Sequence, residues 1–344
     1  MFPLTSRTLA QGTVVSFAIF GGSPGSSGLT NRTAFAAAVA LLSRRGGGTL
    51  RVEPGIYPFS GEALLSGRNV TVVANGARFE GPSCRLTLSA QSSAISIVGL
   101  SLIDTSGDKE TYLLNVLGSA CRFQDVHLEK RPAAGGYIAY CRENTIDNLF
   151  ENLSFAGSNG VFLGGRDHRI IGGWARSAGG DDCWVLKSTI YPCSNIRISG
   201  FRAQGFAALV SIGSEVGRRA GVTPLGPTLV RDVLVENCQA SECSYFAYIK
   251  PGGVGAGRAA YDWQDGVVED VTIRNCQCDD ANGTRFRDGV YVSPGRGATV
   301  RRLVIDNLQI RARANSPPCR LLPEFICTSS RSPRTMGAAR SSRM

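Results

Sequence analysis

The sequence predicts an all-β protein, a right-handed parallel β-helix or solenoid with an N-terminal capping helix. Three observations predict it. Glycine is abundant at 42 of 344 residues, and valine, isoleucine, asparagine and serine recur, which suits short strands joined by tight turns and argues against a helical bundle. An apolar residue followed two positions on by a small or amide residue recurs nine times, in VTVVANG, AISIVGL, CRFQDVHL, DNLFENLSF, HRIIGGW, NIRISGF, VLVENCQA, VTIRNCQC and LVIDNLQI. Its apolar positions are Val72, Ile97, Phe123, Phe150, Ile170, Ile198, Val235, Ile273 and Ile305, at steps of 25, 26, 27, 20, 28, 37, 38 and 32 residues. Most steps fit one coil of three short strands with their turns. A second strand recurs between these segments, as YLLNVLG, GYIAYCREN, GVFLGG, CWVLKS, LVSIGSE, YFAYIKPGG and GVYVSPG. Stacked coils align these into one sheet whose ends form a common groove.

Residues 1–57 read as the cap and first coil of a single domain over residues 1–310. Val14 begins a short apolar strand and a Gly/Ser-rich loop follows. Thr30 or Asn31 caps a helix through about Arg44, with Phe35, Val39 and Leu42 on its apolar face, and Gly46–Gly48 stops it. TLRVEPGIY then alternates as a strand and turns at Pro54-Gly55. Such a helix covers the exposed edge of a first coil. Asn152, Asn237, Asn275 and Asn307 fall at matching places in four repeats, where a stacked amide ladder would serve the turns. The two longest steps hold the insertions Gly217–Pro227 and Pro251–Asp265, which are expected to wall a cleft. Beyond Ile310 both periods stop, and residues 311–344 read as a basic, disordered tail.

The formal charge is +10, but that tail carries seven arginines and one glutamate, or +6, leaving +4 for the body. A mildly basic body is compatible with an anionic polysaccharide and does not demand one. No recognition-helix pattern, zinc-finger spacing or basic-aromatic stripe marks a nucleic-acid binder. No stretch reaches membrane-spanning length, and residues 1–21 lack a basic start with a long apolar run. The eleven cysteines are odd in number without paired zinc spacing, so no metal is expected; Cys121, Cys238 and Cys276 occupy strand positions suited to buried free thiols. No phosphate loop, nucleotide fingerprint or Ser-His-Asp set is present, so no cofactor is expected. His127 and His168, the only histidines, each fall in a repeat strand and read as packing or surface residues.

Chemistry concentrates in GGDDCWVLKS, Gly179 to Ser188. Neighbouring strand side chains point to opposite faces, so Asp181 and Asp182 share a cleft only if the backbone bends or bulges there, which Gly179 and Gly180 allow. Two close carboxylates raise the proton affinity of one member, giving the acid and base that glycoside hydrolysis requires. On the pair alone, a surface turn would be the simpler reading.

The wider string Gly-Asp-Asp-Cys, apolar triplet, Lys-Ser resembles the signature of polygalacturonases, glycoside hydrolase family 28, and the entry segment resembles that of pectin-lyase-like β-helices. By that resemblance Asp181 is the general acid and Asp182 activates water. GSNGVF places Asn159 where the family has an aspartate, leaving an amide that orients water or sugar hydroxyls but is no base. AALVSIGSEVG places Ala208 at the histidine, and YIKPGG places Tyr248 at the arginine while keeping Lys250, which binds a carboxylate or hydroxyl. Glu215, Asp262, Asp265 and Asp288 are candidates for the missing base. The resemblance implies a polysaccharide substrate and favours a secreted or cell-surface protein. The leading expectation is a polygalacturonase-like hydrolase with weakened or redirected activity. The alternatives are a non-catalytic β-helix that binds polysaccharide, as an adhesin or phage-tail-like fibre, and a polysaccharide lyase with an arginine or lysine base and calcium held by acids.

Overall fold

The computed structural model describes residues 12–214, 228–251, 266–279, 288–293 and 298–311. They form a parallel β-helix with one helix at its start. All nine apolar positions read from the repeats lie in one register column: Val72 pairs with Ile97, and the column continues through Phe123, Phe150, Ile170, Ile198, Val235 and Ile273 to Ile305. Leu50 precedes Val72 in the same column. All ten side chains are buried, and Phe123 stacks on Phe150 with centroids 5.2 Å apart. Like residues repeat because each coil rests on a copy of its own surface, and parallel strands buried on the inner face keep that face apolar.

The second recurring strand forms a separate parallel sheet of nine strands, from Glu62–Leu65 through Asn159–Leu163, Trp184–Lys187, Ala208–Ser214 and Tyr245–Pro251 to Asp288–Val292. Trp184 and Leu186 point into the core, where Trp184 meets Phe155 and Phe201 edge-on. The period of two therefore turns Val185 and Lys187 outward.

The helix runs Gly28–Arg44, starting three or four residues earlier than the sequence places it. Ser27 is the N-cap, and its Oγ accepts the Thr30 N–H at 3.1 Å. Asn31 is fully buried instead: its amide donates to the carbonyls of Ser23 and Pro58 and its Oδ1 accepts the Ser23 N–H, binding the entry loop to the first coil. Phe35 meets Phe79 edge-on at 5.1 Å, so the helix seals the first coil with aromatic contacts worth about 0.5–1.5 kcal/mol each beyond burial. A 3-10 turn at Phe17–Phe20, unmarked in the sequence, precedes it.

The asparagines do share one corner, but the amide ladder is not what satisfies it. Gly99, Asp125, Asn152, Gly172, Gly200, Asn237, Asn275 and Asn307 follow the column strands in eight successive coils, all with φ between 50° and 72°. Each backbone N–H from Gly99 to Asn237 donates to a carbonyl of the next coil, so the turn is satisfied by main chain. Asparagine, aspartate and glycine recur because they tolerate the left-handed conformation. Side-chain bonds link only Asn152 to Asp125 at 3.1 Å and Asn307 to Asn275 at 3.0 Å among the described residues.

Among the described residues nine cysteines are buried. No helix among the described residues is long and apolar enough to cross a membrane. Both insertions expected to wall the cleft lie outside the described residues in whole or nearly so, as do residues 312–344 of the expected tail.

Candidate active site

The bend that the acid pair requires is present. The strand Trp174–Gly180 pairs regularly with Arg202–Phe206 up to Arg176 and then shifts register before Gly180, a bulge immediately ahead of Asp181. Gly179 has φ 125°, which other residues rarely adopt, and a Cβ on Gly180 would lie 2.6 Å from Ser177 Oγ. The backbone beyond the bulge is bonded on both sides. The Gly160 N–H donates to Asp182 O, Val161 to Cys183 O, and Cys183 in turn to Ala208 O, while Ala207 N–H is shared between the carbonyls of Gly180 and Asp181. Gly160 is required here: a Cβ would sit 1.6 Å from the Cys183 carbonyl oxygen.

This frame separates the two carboxylates by environment. Asp181 is an exposed residue, yet its carboxyl group is crowded; loss of hydration, then the adjacent Asp182 charge, raises its pKa, opposed by Lys250 and Lys187. Asp182 is 3% exposed and its Oδ2 accepts from Lys250 Nζ at 3.1 Å. Its Oδ1 is buried without a hydrogen-bond partner among the described residues. One carboxyl group thus faces solvent with raised proton affinity, and its neighbour sits beneath it beside a cation.

Asn159 lies at the start of its strand, half-buried, and its Oδ1 accepts the Asp181 N–H at 2.9 Å. It holds the turn that presents the acid. Lys250 also lies over the Tyr248 ring at 4.0 Å from the centroid. Tyr248 is half-buried, packed against Tyr245 and Tyr291, and burial pushes its phenol pKa up, so it stays protonated and brings no charge. Ala208, which the resemblance aligns with a histidine, is fully buried and carries only a methyl group. Glu215, Asp262, Asp265 and the side chain of Asp288 lie outside the described residues. Among the described residues no three histidine, cysteine or acidic groups gather as metal donors.

Three features of this surface were not singled out from the sequence. Lys187 faces outward from the strand that follows the acids, as counting by two from Trp184 would have shown. Tyr140 and Phe162 are register partners on adjacent strands, 5.0 Å apart, and Tyr112, just ahead of the strand Leu114–Val116 on the preceding coil, stacks on Tyr140 at 5.5 Å. Glu143, 8% exposed, takes the backbone N–H groups of Thr189, Ile190 and Tyr191, fixing the turn after Lys187. Neither histidine is part of the site. His127 meets Ser154 and Trp174 on another face. His168 lies just before its strand, fully buried, accepting from Asn148 N–H at Nδ1 and donating from Nε2 to Gly164 O, and burial lowers its pKa to about 4.

No protein-family model and no curated protein matches the sequence. Solved structures do. Endo-xylogalacturonan hydrolase from Aspergillus tubingensis superposes with a TM-score of 0.59 at 14% identity, covering 93% of this chain and 100% of that one. A tailspike protein of E. coli bacteriophage HK620, in complex with a pentasaccharide, gives 0.58 at 15% identity, over 87% of this chain and 66% of that one. An exopolygalacturonase from Thermotoga maritima gives 0.55 at 13% identity, over 87% and 81%. The likeness is one of fold. It establishes the right-handed parallel β-helix and leaves the chemistry to be argued from the acids.

Proposed function

We infer that the chain is a glycoside hydrolase acting on a polysaccharide. Asp181 protonates the leaving glycosidic oxygen and Asp182 activates water, with Lys250 balancing the charge of Asp182. The observation that carries this reading is the divergence of the two carboxyl groups: opposed environments on adjacent residues are how one site supplies an acid and a base. Asn159 positions Asp181, and Tyr248 and Lys250 lie where a sugar unit would pass. Two of the similar structures are named as hydrolases of galacturonan-type chains and a third holds a pentasaccharide, which supports a polysaccharide as the substrate class. Reducing-sugar release from plant, bacterial and capsular polysaccharides tests it. Asp181→Asn is expected to lower the rate by at least about a hundredfold, the scale of general acid catalysis. Undiminished release by that variant, or no release by the wild type, sinks the proposal.

One observation favours a second reading, a β-helix that binds polysaccharide without cleaving it. Asp182 is buried and ion-paired, a poor setting for taking a proton from water, and Ala208 and Tyr248 supply neither charge nor proton transfer. Saturable binding without product on substrates that the similar hydrolases cleave would establish it.

A further inference from the structure

A cavity of about 540 Å³ opens on the corner column, at the start of the strand Trp174–Gly180 whose other end leads into Asp181. Its lining includes Asp125, Asn152, Ser154, Trp174, Gly200 and Arg202. The column explains why it exists. Asp125 and Asn152 fill their coils with linked side chains, and Asn237 resumes the series, but Gly172 and Gly200 leave the two coils between them bare. At strand spacing that gap is about 10 Å high. Nothing compels glycine at position 200: a Cβ there would meet nothing nearer than Gly172 N at 3.8 Å, and asparagine holds the same conformation in four other coils. The notch is open although the fold would allow it to be filled.

Its walls carry a consistent chemistry. Trp174 is 46% exposed, a large ring left at the surface and tilted 36° to His127 at 5.8 Å. Arg202 is its register partner on the next coil, exposed and without an ion pair among the described residues. Asp125, Asn152 and Ser154 add a carboxylate, an amide and a hydroxyl. A pyranose ring has the complementary surface: a face of C–H groups for the indole and a rim of hydroxyls for groups that donate and accept. The charges of Asp125 and Arg202 cancel, which fits a neutral sugar. The volume lies in the range of about 300–1,000 Å³ usual for small-ligand sites. We propose that this notch binds a neutral pyranose unit of a glycan, as a non-catalytic site that holds the protein on its polysaccharide independently of Asp181.

The test is isothermal titration with neutral hexasaccharides of galactose, xylose and glucose. The wild type and Asp181→Asn bind at least one of them. Trp174→Ala weakens that binding about tenfold, the scale of one aromatic contact. Gly200→Asn restores the column residue within its allowed conformation, fills the notch, and weakens binding as much without touching the indole. Release of reducing sugar by these two variants from short soluble substrates stays at the wild-type level, so failure here is separable from failure of the hydrolase reading. Binding undiminished in both variants overturns the proposal, as does absence of binding to all three sugars. A Trp174→Ala protein that changes its sedimenting mass and keeps its sugar affinity also overturns it, marking the face as a contact between copies.

Discussion

Replacing Lys250 with methionine removes the cation from Asp182 and keeps most of the side chain's volume. The Asp182 carboxylate is left 4% exposed with no positive charge at 3.1 Å. Breaking one side of a buried pair typically costs about 3–5 kcal/mol; because the Lys250 side chain is itself 18% exposed, the lower value of about 3 kcal/mol applies. With a urea dependence near 3 kcal/mol/M, the upper end for small domains, the unfolding midpoint falls by about 1 M. Urea titration of Lys250→Met, Asp182→Asn and the double variant measures the coupling directly. The double variant should recover most of the loss, since no charge is then buried unpaired. A Lys250→Met midpoint within about 0.3 M of wild type, on that same scale, refutes the reasoning. So does a double variant no more stable than Lys250→Met.

Two further outcomes follow from buried groups. The pKa of His168 drops from an ordinary 6.5 to about 4 on folding, so the unfolded chain holds the proton more tightly and protonation favours unfolding. Stability is complete above about pH 6.5 and declines toward pH 4, by on the order of 3 kcal/mol from this group; a ring resonance of His168 that titrates near 6.5 in the native state contradicts it. Gly160→Ala forces the Cys183 carbonyl away and should cost about 1–3 kcal/mol, read as a lowered urea midpoint. Gly25→Ala, whose Cβ meets nothing nearer than 3.9 Å, is the control that should unfold like wild type.

The coil was legible because it repeats: nine apolar positions read from the chain fall in a single column, and a one-residue slip would have turned each outward. The bulge before Asp181 was legible for a related reason, since strand alternation allows adjacent acids to share a surface only through one. The partner of Asp182 was not marked by spacing. Lys250 lies 68 residues away, on a strand two rungs along the sheet, and only the stacking order makes them neighbours. Asn31 was read as a cap because asparagine favours that position, and its long-range bonds to Ser23 and Pro58 overrode the local preference. Trp174 was hidden because its neighbours in the notch come from three other coils.

The nine sealed thiols bear on how this molecule can be interrogated. They are spread along the axis from Cys84 near the helix to Cys278 near the last described coil, and burial raises the pKa of Cys84, Cys141, Cys183 and Cys193. A thiol that is neither ionised nor accessible does not react with alkylating reagents until its surroundings open. The protein therefore carries its own set of address labels, and the order in which they become reactive under mild denaturant would report which rungs part first and whether the stack frays from one end or melts as a unit.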